Sequence, residues 1–396
     1  MNVIKKLIGF LSIIVLFTLF HASVSFAQTF PAAPKQEIFK AKVMEIIDEG
    51  ERVIGEFKNP FQKVKVRILE GSDKDKELTI DHGGTVSIRE EQKVKEGETI
   101  VLSKFSSPQR TYYQIIDKYR LDSLLYIVIF FFVLVLALSR WKGLGSIIGL
   151  AISLLVIVKF IVPQILEGKD PLFVSIIGSL FIMITTIYLA HGFSKRTSVA
   201  LGATVIALIL TGIISFLFVD IVKLSGLGGE GAYNLSFGQT GVINFKGLLL
   251  GGMIIGALGV LDDITTSLSA AIFELNKANN KLGFFELAKS GLSIGREHIS
   301  SLVNTLALAY AGASLPIFLL IILNPAGWPL WAILNSEIII EEVIRTLAGS
   351  IGLILAVPLT AVFASWVSTM GSSNISTKPT VNRFIKGKRG DVNYGR

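Results

Sequence analysis

The sequence predicts a polytopic α-helical membrane protein, with about seven spans after a signal peptide and a small β-rich extracytoplasmic domain. Three observations lead there. Of the 396 residues, 51% are hydrophobic and only 17% are charged, a balance unlike that of a soluble chain with one core. Several apolar runs reach about 20 residues, enough to cross a hydrocarbon layer roughly 30 Å thick. Residues 28–120 break with this pattern and alternate apolar with charged residues, as half-buried strands do.

The chain opens with MNVIKKLIGFLSIIVLFTLFHASVSFA. Lys5 and Lys6 form a basic start, Leu7 to Phe20 an apolar run, and Ser25-Phe26-Ala27 a small-x-small cleavage pattern, so residues 1–27 are expected to be a signal peptide. An uncleaved first helix is the alternative, and in both cases Gln28 onward is exported. In residues 28–120 the segments FKAKVMEI, QKVKVRILEG, KELTIDH and ETIVLSKF read as strands. Glu70-Gly71-Ser72-Asp73, His82-Gly83-Gly84 and Glu96-Gly97-Glu98 separate them as turns. The expectation is a small antiparallel barrel or sandwich, with His82 solvated in a turn. Acidic and basic residues nearly balance there, so no nucleic-acid surface is expected. An envelope protein is the conceivable partner.

The membrane domain, residues 121–370, is read as spans near Leu121–Ser139, Gly143–Val162, Pro171–Ala190, Ser198–Val219, Gly247–Leu275, Leu302–Leu323 and Thr346–Val367. With the first domain outside, Arg140-Trp141-Lys142, His191 to Arg196, and the connector with Lys277, Lys281, Lys289 and Arg296 all fall on the cytoplasmic side. So does the basic tail, residues 371–396, with Lys386, Lys388 and Arg389. The net charge of +8 therefore answers to the positive-inside rule in a bacterial cytoplasmic membrane. Leu282 to Ser301 is expected to lie on the inner surface as an amphipathic helix, and Trp328 to Glu342 to be an outer anchor. Glu337, Glu341, Glu342 and Arg345 read as a solvated outer face.

The chemistry concentrates in GVLDDITTS, Gly259 to Ser267, deep inside the fifth of these spans. A carboxylate near the bilayer centre costs about 2.5–3.5 kcal/mol on insertion scales. It persists there by facing a partner, facing a hydrated cavity, or staying protonated. Neighbouring helix residues diverge by about 100°, so Asp262 and Asp263 cannot share one direction and cannot form an aspartyl-protease dyad. Asp262 runs on along Thr266, on a stripe with Gly251 and Gly259, and is the first candidate for a proton or cation carrier. Upstream, Gly252, Gly256 and Gly259 offer small residues for close helix packing. The competing reading is an interhelical clamp, with the acids bonded to Asn304, Thr305 or Tyr310. Lys159 can snorkel to an interface, and His191 ends a span. The glycines of Gly226 to Gly231 lack the Lys-Ser/Thr ending of a phosphate loop. Cysteine is absent, no His/Cys cluster or Ser-His-Asp spacing stands out, and neither an enzyme nor a cofactor is expected.

GALGVLDDITTSLSAAIFEL followed by SGLSIGREHISSLVNTLALAYAGASLP resembles the YibE/F-like family of multi-pass bacterial membrane proteins. The shared features are the Gly-rich Asp helix (Gly256 to Glu274), Ser290-Gly291 with Ile294-Gly295-Arg296, and Asn304 to Gly312. The resemblance covers roughly residues 125–370 and implies the multi-span fold without specifying an activity. In its layout the chain is also similar to proton-driven permeases that assist protein secretion. That similarity implies an intramembrane Asp meeting a polar residue on the next helix. Two functions are thus expected as alternatives: a proton- or cation-coupled permease or export-assisting protein, or a non-transporting scaffold whose exported domain binds an envelope partner.

Overall fold

A computed structural model of the chain describes residues 36–54, 57–84, 86–106, 111–238, 243–325 and 327–372. The signal-like run and the basic tail lie outside the described residues. The chain divides into two compact units that part between Leu138 and Ser139.

In the first unit, five antiparallel strands form one sheet in the order β3-β2-β1-β4-β5. They are β1 (Gln36–Ile54), β2 (Phe57–Ile68), β3 (Glu77–His82), β4 (Thr99–Ser106) and β5 (Thr111–Lys118). The register of β1 on β2 shifts between Val43 and Glu45 and again between Ile46 and Asp48. Such irregularities increase local twist and bend a strand. The two ends of the sheet, β3 and β5, come into contact but share no ladder. The result is a partly open five-stranded barrel. Ala41, Val64, Val66, Ile68, Ile100 and Leu102 are fully buried inside it. The four expected strands are present. β5, TYYQIIDK, lies outside the expected set because its aromatic start and apolar pair obscure the alternation.

One helical run, α1 (Leu121–Val156), follows the barrel, and Arg140 inside it is non-helical at φ 52° and ψ −134°. That break separates two candidate spans, Leu121–Trp141 and Gly143–Leu166. The second passes through a π segment at Ile157–Ile161 into α2 (Val162–Leu166). Next come α3 (Pro171–His191), α4 (Lys195–Ile221), α5 (Glu230–Gly238), α6 (Phe245–Ala278), α7 (Phe284–Ala313), α8 (Leu315–Leu323), α9 (Leu330–Leu334) and α10 (Glu337–Ser372). The starts of α3, α4 and α6 are fixed by side-chain caps from Asp170, Ser194 and Asn244, which satisfy otherwise unpaired N–H groups. Six helices are long and apolar enough to cross a membrane, or seven if the bent pair α7–α8 is one span.

α6 is the centre of the second unit and packs against α3, α4, α7 and α10. Leu261, Ile264, Leu268 and Ile272 on it are almost completely buried. The close approach of α7 depends on small residues: a Cβ added at Gly295 would run into Val357 of α10, and one at Gly291 would come within 2.6 Å of Ile272.

Two expectations need correction here. Leu282 to Ser301 is not a separate surface helix, because α7 runs unbroken from Phe284 to Ala313. The interruption comes afterwards, where α7 and α8 meet at 62°. Pro316 in the first turn of α8 provides no amide hydrogen for a continuing helix. The expected packing stripe also differs. Gly252 and Gly259 face open space and Gly256 meets only Tyr310 Oη at 3.6 Å, whereas Gly251, one position away, is pressed against Ser175 and Pro171.

Candidate functional site

Asp262 lies halfway along the 34-residue α6. Its Oδ1 is buried without a hydrogen-bond partner, and the residue as a whole is only partly exposed. Thr265, a turn later, is completely buried, and its Oγ1 lies 2.6 Å from Oγ1 of Thr204 on α4. Thr266 donates from Oγ1 to the Asp262 carbonyl at 2.8 Å. Thr266 also lines a cavity of about 240 Å³ with His191, Arg196, Thr197, Ala200 and Ala270, where α3, α4 and α6 meet. The mouth of this cavity is organised by Ser269 Oγ donating to the Arg196 carbonyl at 2.9 Å and by an Arg196–Glu274 pair at 3.8 Å. A polar recess thus reaches Thr266, one helical turn from an unsatisfied carboxylate oxygen.

Asp263 faces away from that recess. It is exposed, as are Gly252, Gly256, Gly259 and Ser267 on the same side of α6. Gly259 therefore shares a face with Asp263 as well as flanking Asp262. Asn304 and Thr305 are exposed on α7, and the Thr305 hydroxyl donates back to Ser301 O at 2.9 Å. Tyr310 is partly buried and borders a separate small recess with Glu342 and Thr346. The structure thus brings Asp262, Thr265 and Thr266 together with Thr204, His191 and Arg196, while Asn304, Thr305 and Tyr310 stand apart on α7.

A second polar arrangement was not expected from the sequence. Glu337 Oε1 accepts from the Ser225 amide at 2.6 Å, the Ser225 hydroxyl at 2.7 Å and the Gly226 amide at 2.9 Å. One turn on, Glu341 Oε1 accepts from the Gly228 amide at 2.9 Å and is only 4% exposed. The glycines serve this close approach: Gly226 has φ +86° and a Cβ there would strike the Phe245 carbonyl. The solvated outer face read for Glu337 and Glu341 is therefore replaced by two carboxylates capping a backbone loop. Their partners lie more than a hundred residues earlier, beyond the reach of local pattern.

The family profile of the YibE/F-like protein matches residues 127–370. This chain belongs to the YibE/F-like family. The match takes in the whole of α3 to α9, both Asp262 and Asp263, and the two carboxylates of α10, and it leaves the barrel outside. No curated protein and no solved structure matches the chain. As a YibE/F-like membrane protein it is thus defined by its helical unit. Among the described residues no cluster of three or more His, Cys, Asp or Glu side chains has the arrangement of a metal site.

Proposed function

We propose that this YibE/F-like protein is a proton- or cation-coupled permease or export-assisting protein of the bacterial cytoplasmic membrane, with Asp262 as the carrier. One observation carries the reading: a carboxylate oxygen at the middle of a spanning helix is buried and has no hydrogen-bond partner. Leaving such a group unpaired is expensive, and that expense is understandable if the group binds and releases a proton or cation during a cycle. The recess ending at Thr266 supports access from one side. The basic ends of the spans place that side in the cytoplasm, with the barrel exported.

Replacement tests the carrier role. Asp262→Asn is expected to abolish complementation of a deletion strain while membrane levels stay normal, and to remove a carboxyl titration from infrared difference spectra of the protein in liposomes. Full complementation by both Asp262→Asn and Asp263→Asn would sink the reading. The scaffold alternative is favoured by the cavity in the barrel. Under it, deleting residues 28–120 removes the phenotype and the Asp variants only lower stability.

A further inference from the structure

The open seam of the barrel holds a cavity of about 340 Å³, within the size range of ligand sites. One wall is unusual: it is lined by Tyr112 to Lys118 without a gap. Side chains alternate between the two faces of a strand. Seven consecutive residues can therefore line one cavity only if it runs along the edge of β5, where backbone N–H and C=O groups point outward. That edge has no ladder, since β5 is the last strand of the sheet. The opposite wall comes from Asp81 to Gly83 and from the segment ending at Val94.

This opposite wall is held rigidly. Gln62, only 1% exposed, accepts from the Val94 amide at 2.8 Å and donates to the Val94 carbonyl at 3.0 Å. His82 Nε2–H reaches the Gln92 carbonyl at 3.1 Å. Gly83 has φ +98°, and a Cβ there would lie 2.6 Å from the Pro60 carbonyl. At the start of β5 the seam is fastened: Tyr113 Oη and Lys104 Nζ both donate to Asp73 Oδ2 at 2.7 Å. These donors, Lys104 foremost, hold the Asp73 carboxyl below the usual carboxylate range.

The charges along the slot are already matched within the domain. Asp81 pairs with Arg52 at 3.4 Å, Asp117 with Arg120 at 2.7 Å and Lys118 with Glu98 at 3.8 Å. A slot without a free block of cations does not suit a polyanion such as nucleic acid. Its recognition surface is an unpaired strand edge, flanked by the half-exposed Tyr112 ring stacked on Phe105 at 4.9 Å. From these observations we propose that the barrel binds a short extended peptide, a segment of another protein, which adds as a strand along the free edge of β5. Seven residues at about 3.3 Å each give an edge of roughly 23 Å, matching a peptide of about seven residues. The inference does not depend on Asp262.

The absence of cysteine makes a clean test available. Full-length protein in lipid nanodiscs, carrying Ser87→Cys in the slot or Lys58→Cys on the far hairpin, is used to select from a displayed library of random heptapeptides. Modifying Ser87→Cys with pyrenylmaleimide is expected to weaken the selected peptides by about tenfold or more, roughly 1.4 kcal/mol, and modified Lys58→Cys should leave them unchanged. N-methylation of alternate residues along one peptide edge should cause a similar loss, while methylation along the other should not. A selection that yields no binding heptapeptide overturns the proposal. So does binding that survives the Ser87 block, or methylation at both edges, within about twofold.

Discussion

His82 is 7% exposed, and burial lowers its pKa below the ordinary histidine value. The unfolded chain therefore takes up a proton first, near pH 6.5. The barrel keeps its full stability above that pH and loses part of it as pH falls from there toward the lower folded value. Carboxylates act further down: Lys65 first, then Arg67, hold Glu77 at about 2, so its contribution fades only as pH falls below the ordinary glutamate range. Hydrogen exchange of β3, corrected for intrinsic rates, should accelerate between pH 7.5 and 5.5 in the native protein and much less in His82→Gln; equal acceleration in both would refute this role. The sequence announced Asp262 because a charge inside an apolar run is conspicuous wherever the run folds. It concealed His82 and Glu341, because burial of a polar side chain is decided by distant partners, the Gln92 carbonyl for one and the Gly228 amide for the other.

Among the helices, α7 was the hardest to read. Its first half carries Glu286, Lys289, Arg296 and Glu297 and its second half is apolar, so composition suggests two elements in two solvents. Backbone continuity is settled instead by Gly291 and Gly295, which let the charged half lie close against α6 and α10. The end at Ala313 was legible in principle, since Pro316 follows. Packing predicts a contrast between two glycines. Gly295→Leu forces a side chain into Val357 and should destabilise the helical unit by about 1–3 kcal/mol, whereas Gly259→Leu meets open space and should be tolerated. Thermal denaturation of both variants in detergent decides the matter, and equal melting temperatures would count against the described packing of α7.

At the scale of the whole chain, alternation and hydropathy separated barrel from bundle because each solvent imposes its own period on the sequence. What those patterns could not convey was the barrel's unpaired seam, which depends on how far the sheet curls. Orientation remains a prediction of the Lys and Arg distribution. A membrane-impermeant maleimide added to intact cells should label Gly231→Cys and should label Lys277→Cys only after permeabilisation; the reverse pattern would invert the topology. One further consequence follows from the capped loop. Glu337 and Glu341 buckle the end of α4 to the head of α10, and Lys246–Asp220, at 2.9 Å, buckles the same end of α4 to α6. At the opposite end the link between α4 and α6 includes the looser Arg196–Glu274 pair, beside an unfilled recess. Three helices fastened at one end and slack at the other can spread only like the ribs of a fan, so the rivet lies with the glycine loop and the travel is greatest beside Arg196.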